Sequence, residues 1–323
     1  MPPHKVVGIT GTNGKSTTTA LVHHILKTAG VPSTMGGNIG LPILAQDALP
    51  EGGVYVLELS SYQIDLTQSL DCDVAVLLNI TPDHLDRYDS FEAYLASKDR
   101  LFEMQTDRHP QVISRDSPPS YEIYEDRWFE DHDRVLHISA DQIEDQSHWP
   151  ALKGPHNAEN AAAAIAVSQA LGLSREQSEE GLRTFPGLPH RMEHVGEKDG
   201  IIFINDSKAT NPTATAPALA AFPAIRWILG GQAKSDDLDE CAPHFGHVRS
   251  AYTIGEAAEL FERLLKPHMP VKNCGKLDAA LREAAADAVA GDTVLLSPAC
   301  ASFDQFRDFE ERGDRFRDLV GAL

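Results

Sequence analysis

The chain has 323 residues, with 48 acidic and 28 basic side chains and a formal net charge of −20. This charge repels a phosphate backbone and an anionic bilayer, so nucleic acid and membranes are not expected as partners. Hydrophobic residues make up 42% and charged residues 24%, which excludes a disordered or fibrous chain. At roughly 100–200 residues per domain, the length predicts two domains.

Short apolar runs alternate along the chain with amphipathic or alanine-rich segments. The runs predict buried strands at 6–10, 54–59, 74–79, 201–205, 227–229, 251–254 and 293–297. The segments between them predict helices at 17–29, 91–102, 158–171 and 277–290. Strands that alternate with helices are typical of parallel sheets, so the predicted fold class is α/β. The stretch 108–149 is acidic and weakly periodic, and it receives no assignment.

The best candidate for a domain boundary is the segment 185–189, which reads Phe-Pro-Gly-Leu-Pro. Two prolines and a glycine interrupt the helical and the strand period alike. We therefore predict one domain at 1–187 and a second at 188–323.

Cysteine usage and targeting signals indicate the compartment. The four cysteines are widely spaced and form no CxxC pair, so neither a zinc site nor a disulfide framework is expected. The N-terminus lacks the apolar region of a signal peptide, and no run approaches ~20 apolar residues. These features predict a protein of the reducing cytoplasm.

A glycine-rich loop directly follows the first predicted strand and leads into a predicted helix, since residues 8–17 read GITGTNGKST. Glycines let backbone N–H groups turn toward phosphate oxygens, Lys15 reaches the terminal phosphates, and Ser16 or Thr17 can bind Mg²⁺. The loop differs from the strict G-x-x-x-x-G-K-[ST] pattern because residue 9 is Ile. A glycine-rich turn with a surface lysine is the alternative, but the strand–loop–helix context favours ATP or GTP binding.

Polar side chains follow the next two predicted strands. Glu58 ends one strand, and residues 79–88, which read NITPDHLDRY, follow the other. Ligands gather at the carboxyl ends of strands in an α/β sheet, so Glu58 and His84 are candidate Mg²⁺ ligands. The alternative prediction for each residue considered alone is different. Glu58 would then be a solvated loop residue, and His84 would be a helix-capping or merely hydrogen-bonded side chain. Asn157 and Asn160 are most simply an N-cap and a surface residue.

Three polar loops follow predicted strands in the second half of the chain. They read NDSKATN at 205–211, GGQAK at 230–234 and SPACAS at 297–302. Three such loops favour a ligand site at one edge of a sheet. Arg191, in the segment PHRME, is suited to bidentate binding of phosphate or carboxylate. The alternative for 205–211 is an ordinary capped helix start with a salt bridge.

Nine segments together carry a resemblance to a known family. They are GTNGKST (11–17), GGNIG (36–40), ELSSYQ (58–63), NITPDHLDRY (79–88), GPHNAEN (154–160), GLPHRME (187–193), NDSKATN (205–211), GGQAK (230–234) and SPACASFDQFRDFEERG (297–313). With them the chain resembles the Mur ligase family, the ATP-dependent amide ligases of peptidoglycan precursor synthesis. The first segment is shared with folylpolyglutamate synthases. The combination of LPHR, NDSKATN and SPACASFDQF is similar to the branch that adds D-glutamate.

The resemblance implies a P-loop mononucleotide-binding domain with a parallel sheet, followed by a smaller Rossmann-like α/β domain that binds glutamate. It implies a cytoplasmic, monomeric enzyme whose partners are small-molecule substrates. Such an enzyme phosphorylates the carboxylate of UDP-N-acetylmuramoyl-L-alanine with ATP and then joins the acyl phosphate to D-glutamate. The implied cofactors are ATP and two Mg²⁺ ions.

The resemblance also implies roles for individual residues. The residues expected at the nucleotide are Gly11, Thr12, Asn13, Gly14, Lys15, Ser16, Thr17, Arg191 and Asp206, with Asn157 and Asn160 near adenine. The expected metal ligands are Ser16, Glu58, His84 and Lys98, the last as a carbamate. The expected substrate-binding residues are Asn38, Lys208, Thr210, Lys234, Ser302 and Phe309. The expected catalytic residues are Lys15, His84, Lys98 and Arg191. Sequence alone predicts a surface position for Lys98.

The chain departs from the family at its start, because its phosphate loop already begins at residue 11. The resemblance implies an N-terminal domain that grips the uridine nucleotide, and this domain is expected to be missing from the sequence. We expect a fragment, a mis-started product or a partner polypeptide that supplies this part. Two alternatives stay open: another Mur or folylpolyglutamate-type ligase, and a protein that binds ATP but is catalytically incomplete.

Overall fold

The computed structural model describes residues 4–40, 42–82, 87–106, 108–152 and 154–323. The chain forms two compact units, Met1–Pro186 and Gly187–Leu323. Within the described ranges each unit contains a six-stranded sheet with helices packed against it. The predicted α/β fold class is confirmed.

The first unit is built on an entirely parallel sheet. Its strands are β1 (Lys5–Thr10), β2 (Ser33–Gly37), β3 (Val54–Glu58), β4 (Val74–Leu77), β5 (Gln111–Ser114) and β6 (Val135–Ile138). Its helices are α1 (Lys15–Thr28), α2 (Ser61–Leu66), α3 (Phe91–Glu103), α4 (Pro118–Glu130), α5 (Pro155–Ala170) and α6 (Arg175–Thr184). The strand order is β2-β3-β1-β4-β5-β6.

This strand order creates a crevice at the carboxyl ends of β1 and β4. The chain leaves β1 toward β2 on one side of the sheet, whereas it leaves β4 toward β5 on the other side. Loops that diverge in this way leave space between them, which is where open α/β sheets bind ligands. The glycine-rich loop follows β1 and the segment that begins at Asn79 follows β4, so both lie at this crevice.

The unassigned stretch 108–149 contains β5, α4 and β6, which extend the sheet at one edge. Its periodicity is weak for a physical reason. Each of the two strands has four residues, and the two central residues of β6, Leu136 and His137, are exposed. Ser120 is the buried residue of α4, whereas Trp128 and Phe129 are exposed. Short strands and a helix without an apolar stripe give little signal in a sequence.

The second unit has a mixed sheet with one antiparallel edge strand. Its strands are β7 (Glu193–Lys198), β8 (Ile201–Asn205), β9 (Ile225–Gly230), β10 (Val248–Ile254), β11 (Val271–Gly275) and β12 (Thr293–Leu296). Its helices are α7 (Pro212–Ala220), α8 (Ala258–Leu265), α9 (Leu277–Asp287) and α10 (Phe309–Gly321). The strand order is β11-β10-β9-β12-β8-β7, with β7 antiparallel to β8 and the other pairs parallel.

The seven predicted strands and four predicted helices each have a counterpart in these two units. The central strands β9 and β12 are almost completely buried, because helices cover both faces of a parallel sheet. Trp227 on β9 is fully buried in the apolar core. Among the described residues, no helix has both the length and the apolar character needed to cross a bilayer.

Candidate functional site

The glycine-rich loop joins β1 to α1 and lies against the end of β4. The Thr12 N–H donates to the Asn79 carbonyl oxygen at 2.8 Å. Gly14, the N-cap of α1, has a φ of +84°, and a Cβ there would lie 2.2 Å from Asn160 Oδ1. Backbone conformation and space therefore both require glycine. The amides of the first turn of α1 start directly after Gly14, which is the geometry of an anion-binding helix N-terminus.

Lys15 begins α1, and its side chain lies over the loop. Its Nζ donates to the carbonyl oxygens of Gly11 at 2.9 Å and Thr12 at 2.8 Å. The ammonium group and the helix N-terminus are thus on the same loop, as binding of a polyphosphate requires.

Asn160 on α5 supports the loop from behind. Its side chain is 2% exposed, its Oδ1 accepts from Thr18 Oγ1 at 3.1 Å, and its Nδ2 donates to Asn157 Oδ1 at 3.2 Å. The prediction of a surface residue is therefore wrong for Asn160. The N-cap prediction is also wrong for Asn157, since α5 begins at Pro155 with Gly154 as its N-cap. The helix packs against α1, and its buried residues begin at Ala158.

Lys98 is buried beneath the same loop, so the prediction of a surface position is wrong. Its side chain is 1% exposed, and its Nζ donates to the Gly11 carbonyl oxygen at 2.9 Å. The ammonium group also lies 4.6 Å from the centroid of the Tyr94 ring. The Tyr94 hydroxyl is 3.1 Å from Thr12 Oγ1, so α3 contacts the loop through two side chains. Amphipathic spacing placed α3 correctly, but it could not show that the face with Lys98 meets this loop.

Glu58 ends β3 as a buried carboxylate and not as a solvated loop residue. It is 2% exposed, and its Oε1 accepts from Asn38 Nδ2 at 3.2 Å. Its Oε2 is buried and has no hydrogen-bond donor in the described part of the chain. A buried carboxylate oxygen of this kind fits a hard cation such as Mg²⁺. His84, the other predicted ligand, lies outside the described residues.

A metal site made by the protein alone is not observed in the described ranges, where no three His, Cys, Asp or Glu side chains cluster with metal-binding geometry. Magnesium in nucleotide sites is commonly held by one or two protein groups together with phosphate oxygens and water. Glu58 and the hydroxyl of Ser16 on α1 are groups of the right chemistry for such a shared site.

In the second unit, one buried arginine connects the three polar loops. Arg312 on α10 donates to the Ser207 hydroxyl at 2.9 Å and carbonyl oxygen at 2.9 Å. It also donates to the carbonyl oxygens of Cys300 at 3.1 Å, Ala301 at 3.4 Å and Gly230 at 3.5 Å. Burial lowers the pKa of Arg312 to about 10. Sequence reasoning missed this residue because an arginine in a charged helix has the same pattern as a solvated one.

The predicted glutamate-binding residues lie on these three loops and at the start of α10. Lys208 is exposed, and its Nζ lies 3.9 Å above the Phe309 ring, so the structure brings these two residues together. Thr210 is half-buried in the same loop as Lys208. Lys234 is exposed in the loop after β9, and Ser302 is buried in the loop after β12.

Arg191 is exposed on a strained turn that precedes β7. Its neighbours His190 and Met192 have φ values of +61° and +48°, a region that non-glycine residues rarely adopt. Asp206 holds this turn, since its Oδ1 accepts from the Met192 N–H at 3.1 Å and its Oδ2 accepts from Ser297 Oγ at 2.8 Å. Burial raises the pKa of Asp206 to about 7, against the opposing effect of these two donors and Arg191.

A phosphate loop on a parallel sheet, followed by a Rossmann-like unit with polar strand-end loops, defines a class of ATP-dependent ligases. The chain belongs to the Mur ligase family. The Mur ligase middle domain matches residues 9–168, and the Mur ligase, glutamate ligase domain matches residues 190–300. Membership of this family implies the use of ATP with Mg²⁺.

Two similar proteins are named UDP-N-acetylmuramoylalanine–D-glutamate ligase. The protein of Novosphingobium aromaticivorans is 58% identical over 324 residues, which cover 100% of this chain and 73% of that protein. The protein of Zymomonas mobilis is 57% identical over 321 residues, which cover 98% of this chain and 72% of that protein. The chain thus spans about three-quarters of the length of these relatives.

Solved structures show the same fold at low sequence identity. The UDP-N-acetylmuramate–alanine ligase MurC of Thermotoga maritima has a TM-score of 0.69 at 18% identity, covering 98% of this chain and 76% of that chain. Escherichia coli FolC in complex with DHPP and ADP has a TM-score of 0.66 at 20% identity, covering 99% of this chain and 89% of that chain.

Proposed function

We propose that the chain is an ATP-dependent ligase that joins D-glutamate to UDP-N-acetylmuramoyl-L-alanine, with ADP and phosphate as the other products. The observation that carries this proposal is an identity of 57–58%, over all or nearly all of the chain, to relatives named for this activity. The four free cysteines, three of them buried, are consistent with a reducing cytoplasm as its site of action. We propose a monomer as its working form.

The first unit is proposed to bind ATP. The loop 11–17 binds the phosphates through its amides, and Lys15 turns from the Gly11 and Thr12 carbonyls to the transferred phosphoryl group. Asn157, half-buried at the start of α5, is the candidate adenine contact. Asn160 is engaged with Thr18 and Asn157, so it positions the loop and the adenine contact.

Magnesium in this site would be held by Glu58 and the Ser16 hydroxyl, with the unpartnered Glu58 Oε2 as the supporting observation. When bound, Mg²⁺ offsets the charge of the phosphates. The fuller hypothesis includes a second ion, His84, and a carbamate on Lys98. The position of Lys98 supports the carbamate, because the buried side chain lies directly beside the phosphate loop at Gly11.

The second unit is proposed to bind glutamate and to contribute Arg191 to phosphate binding. Lys208, Thr210, Lys234 and Ser302 offer ammonium and hydroxyl donors to the carboxylates. Phe309 orients Lys208 through the cation–π contact. Asp206 is proposed to hold the turn that carries Arg191, since it accepts from the Met192 N–H.

The chemistry proceeds in two balanced steps. A carboxylate oxygen of the muramoyl-alanine substrate attacks the γ-phosphorus, so the acyl phosphate forms and ADP leaves. The neutral amine of glutamate then attacks the acyl carbon, phosphate leaves, and the amide nitrogen loses a proton. Both steps bring anions together, so their main requirement is positive charge near the reacting groups, which Lys15 and Arg191 would supply. Asn38, which donates to Glu58, is placed beside the proposed metal ligand.

Ligation with each enantiomer of glutamate tests the proposal. The full chain is incubated with ATP, Mg²⁺ and UDP-N-acetylmuramoyl-L-alanine, and amide product and ADP are measured by mass spectrometry. We expect product with D-glutamate only. ATP binding without product would indicate a catalytically incomplete protein, and product with another amino acid would indicate a sister ligase.

Replacement of Lys15 by Ala supplies the matched negative control for this assay. We expect Lys15→Ala to abolish ligation, because no other side chain on the loop carries a positive charge to the transferred group. Lys27→Ala removes an exposed lysine from the last turn of the same helix and is expected to leave turnover unchanged. Retained turnover in Lys15→Ala would refute the assignment of the loop.

A further inference from the structure

We propose that Glu159 is a positioning residue for the phosphate loop, acting through the Asn79 side chain on the backbone of Asn13. This inference rests on the proposed binding of ATP at that loop. It concerns a carboxylate that lies outside the residues expected to touch nucleotide, metal or glutamate.

Asn79 anchors two successive amides of the loop. The Thr12 N–H donates to the Asn79 carbonyl oxygen at 2.8 Å, and the Asn13 N–H donates to Asn79 Oδ1 at 3.0 Å. These bonds determine the orientation of the peptide between Thr12 and Asn13. The amides that follow, up to the start of α1, take their direction from this peptide, so Asn79 sets how they face a polyphosphate.

Glu159 determines which way the Asn79 amide group points. Asn79 Nδ2 donates to Glu159 Oε2 at 2.9 Å, and the other carboxylate oxygen accepts from Ser114 Oγ at 2.6 Å. An ionised carboxylate only accepts hydrogen bonds, so it selects the amide orientation with Nδ2 toward α5. That orientation leaves Oδ1 facing the Asn13 N–H. A reversed amide would set two donors against each other on the loop side.

The environment of Glu159 makes these partners important. The residue is 5% exposed on α5, and burial raises its pKa, with the negative charge of Asp116 adding to the effect and Ser114 and Asn79 opposing it. A carboxylate is costly to bury unless donors compensate for the lost water. The neighbouring Asn160 contacts the loop independently at Gly14 and Thr18. Two neighbouring residues of α5 therefore support the phosphate loop. Glu159 acts through Asn79, and Asn160 contacts the loop region directly.

Exchange of the hydrogen-bond donor and acceptor between positions 79 and 159 tests this arrangement. In Asn79→Asp, two carboxylates face each other, and their repulsion displaces the side chain that accepts from the Asn13 N–H. The Kd for Mg·ATP is therefore expected to rise by about tenfold or more. In Asn79→Asp combined with Glu159→Gln, the new Asp accepts both from the Asn13 N–H and from the new Gln Nε2. We expect this double variant to recover a Kd within about threefold of the parent protein.

Glu159→Ala should likewise raise the Kd for Mg·ATP and the KM for ATP, with little change in the KM for D-glutamate. The control is Val167→Ala, which truncates a fully buried side chain further along the same helix and is expected to lower the melting temperature. Its Kd is expected to match that of the parent protein.

Binding is measured by isothermal titration calorimetry on the full chain, and melting temperatures are recorded for every variant. The inference is overturned if Glu159→Ala weakens ATP binding no more than Val167→Ala does, or if the double variant binds no better than Asn79→Asp. Failure of the parent protein to bind Mg·ATP would instead refute the proposed function, so the two failures are distinguishable.

Discussion

Asp206 should make the free energy of unfolding of the second unit depend on pH. The substitution Asp206→Asn should remove this dependence. The carboxyl group is 4% exposed and lies between the Met192 N–H and the Ser297 hydroxyl. Asparagine has nearly the same shape. Its Oδ1 can accept from Met192, and its Nδ2 can donate to the Ser297 hydroxyl, which donates onward to Thr215 Oγ1. The substitution therefore removes the titration and keeps the contacts.

The sign of the effect follows from the direction of the pKa shift. Burial raises the pKa of Asp206 from 3.8 to about 7, so the folded protein holds this proton more tightly than the unfolded chain does. The stabilisation is fully present below the unfolded pKa and is lost as pH rises through the folded pKa. At 1.36 kcal/mol per pKa unit, the loss is about 2 kcal/mol between pH 5 and pH 7 and on the order of 4 kcal/mol in total.

Urea denaturation at pH 5, 6, 7 and 8.5 measures this loss. Trp227 is buried in the second unit and reports its unfolding by fluorescence when Trp128 and Trp149 are replaced by Phe. In this background, the free energy of unfolding should fall by about 2 kcal/mol more than in Asp206→Asn between pH 5 and pH 7.

Asp278→Asn is the control for this measurement. A hydrogen bond from Arg315 lowers the pKa of Asp278, so its contribution is lost only as the pH falls through that lowered pKa. Between pH 5 and pH 7, the free energy of unfolding of this control should therefore fall by the same amount as that of the parent protein. Parallel profiles for the parent protein and Asp206→Asn over that range would refute the reasoning.

Two further substitutions probe the supports of the two sites. Arg312→Met leaves the carbonyl oxygens of three loops without their donor, so we expect a loss of about 3–5 kcal/mol in thermal denaturation and a higher KM for D-glutamate. An unchanged melting temperature would contradict this role. Gly14→Ala forces a Cβ to within 2.2 Å of Asn160 Oδ1 at a φ of +84°, so ATP binding should weaken by more than about tenfold in calorimetry. Gly30→Ala, with a similar φ of +79° but nothing within 4 Å, should cost about 1 kcal/mol of stability and leave ATP binding intact.

Much of the fold was readable from sequence because its signals are local. Buried strands of a parallel sheet are short apolar runs, and amphipathic or alanine-rich segments lie between them, so the seven strands and four helices named in the sequence analysis could be predicted. The edge strands β2, β7 and β11 were not predicted. The stretch 108–149 lacked these signals. The phosphate loop was equally readable, since its glycines, Lys15 and the adjoining helix are contiguous in the chain.

The sequence by itself thus determined the fold class, the phosphate loop and, through its motifs, the family. Only the tertiary structure decided which polar side chains support the site. Lys98 meets Gly11 across 87 residues, Thr18 meets Asn160 across 142, and Glu159 meets Asn79 across 80. Arg312 meets Ser207 across 105 residues. A single polar residue on a helix has the same local pattern whether it faces water or a loop, because its burial depends on which elements the chain topology packs against it.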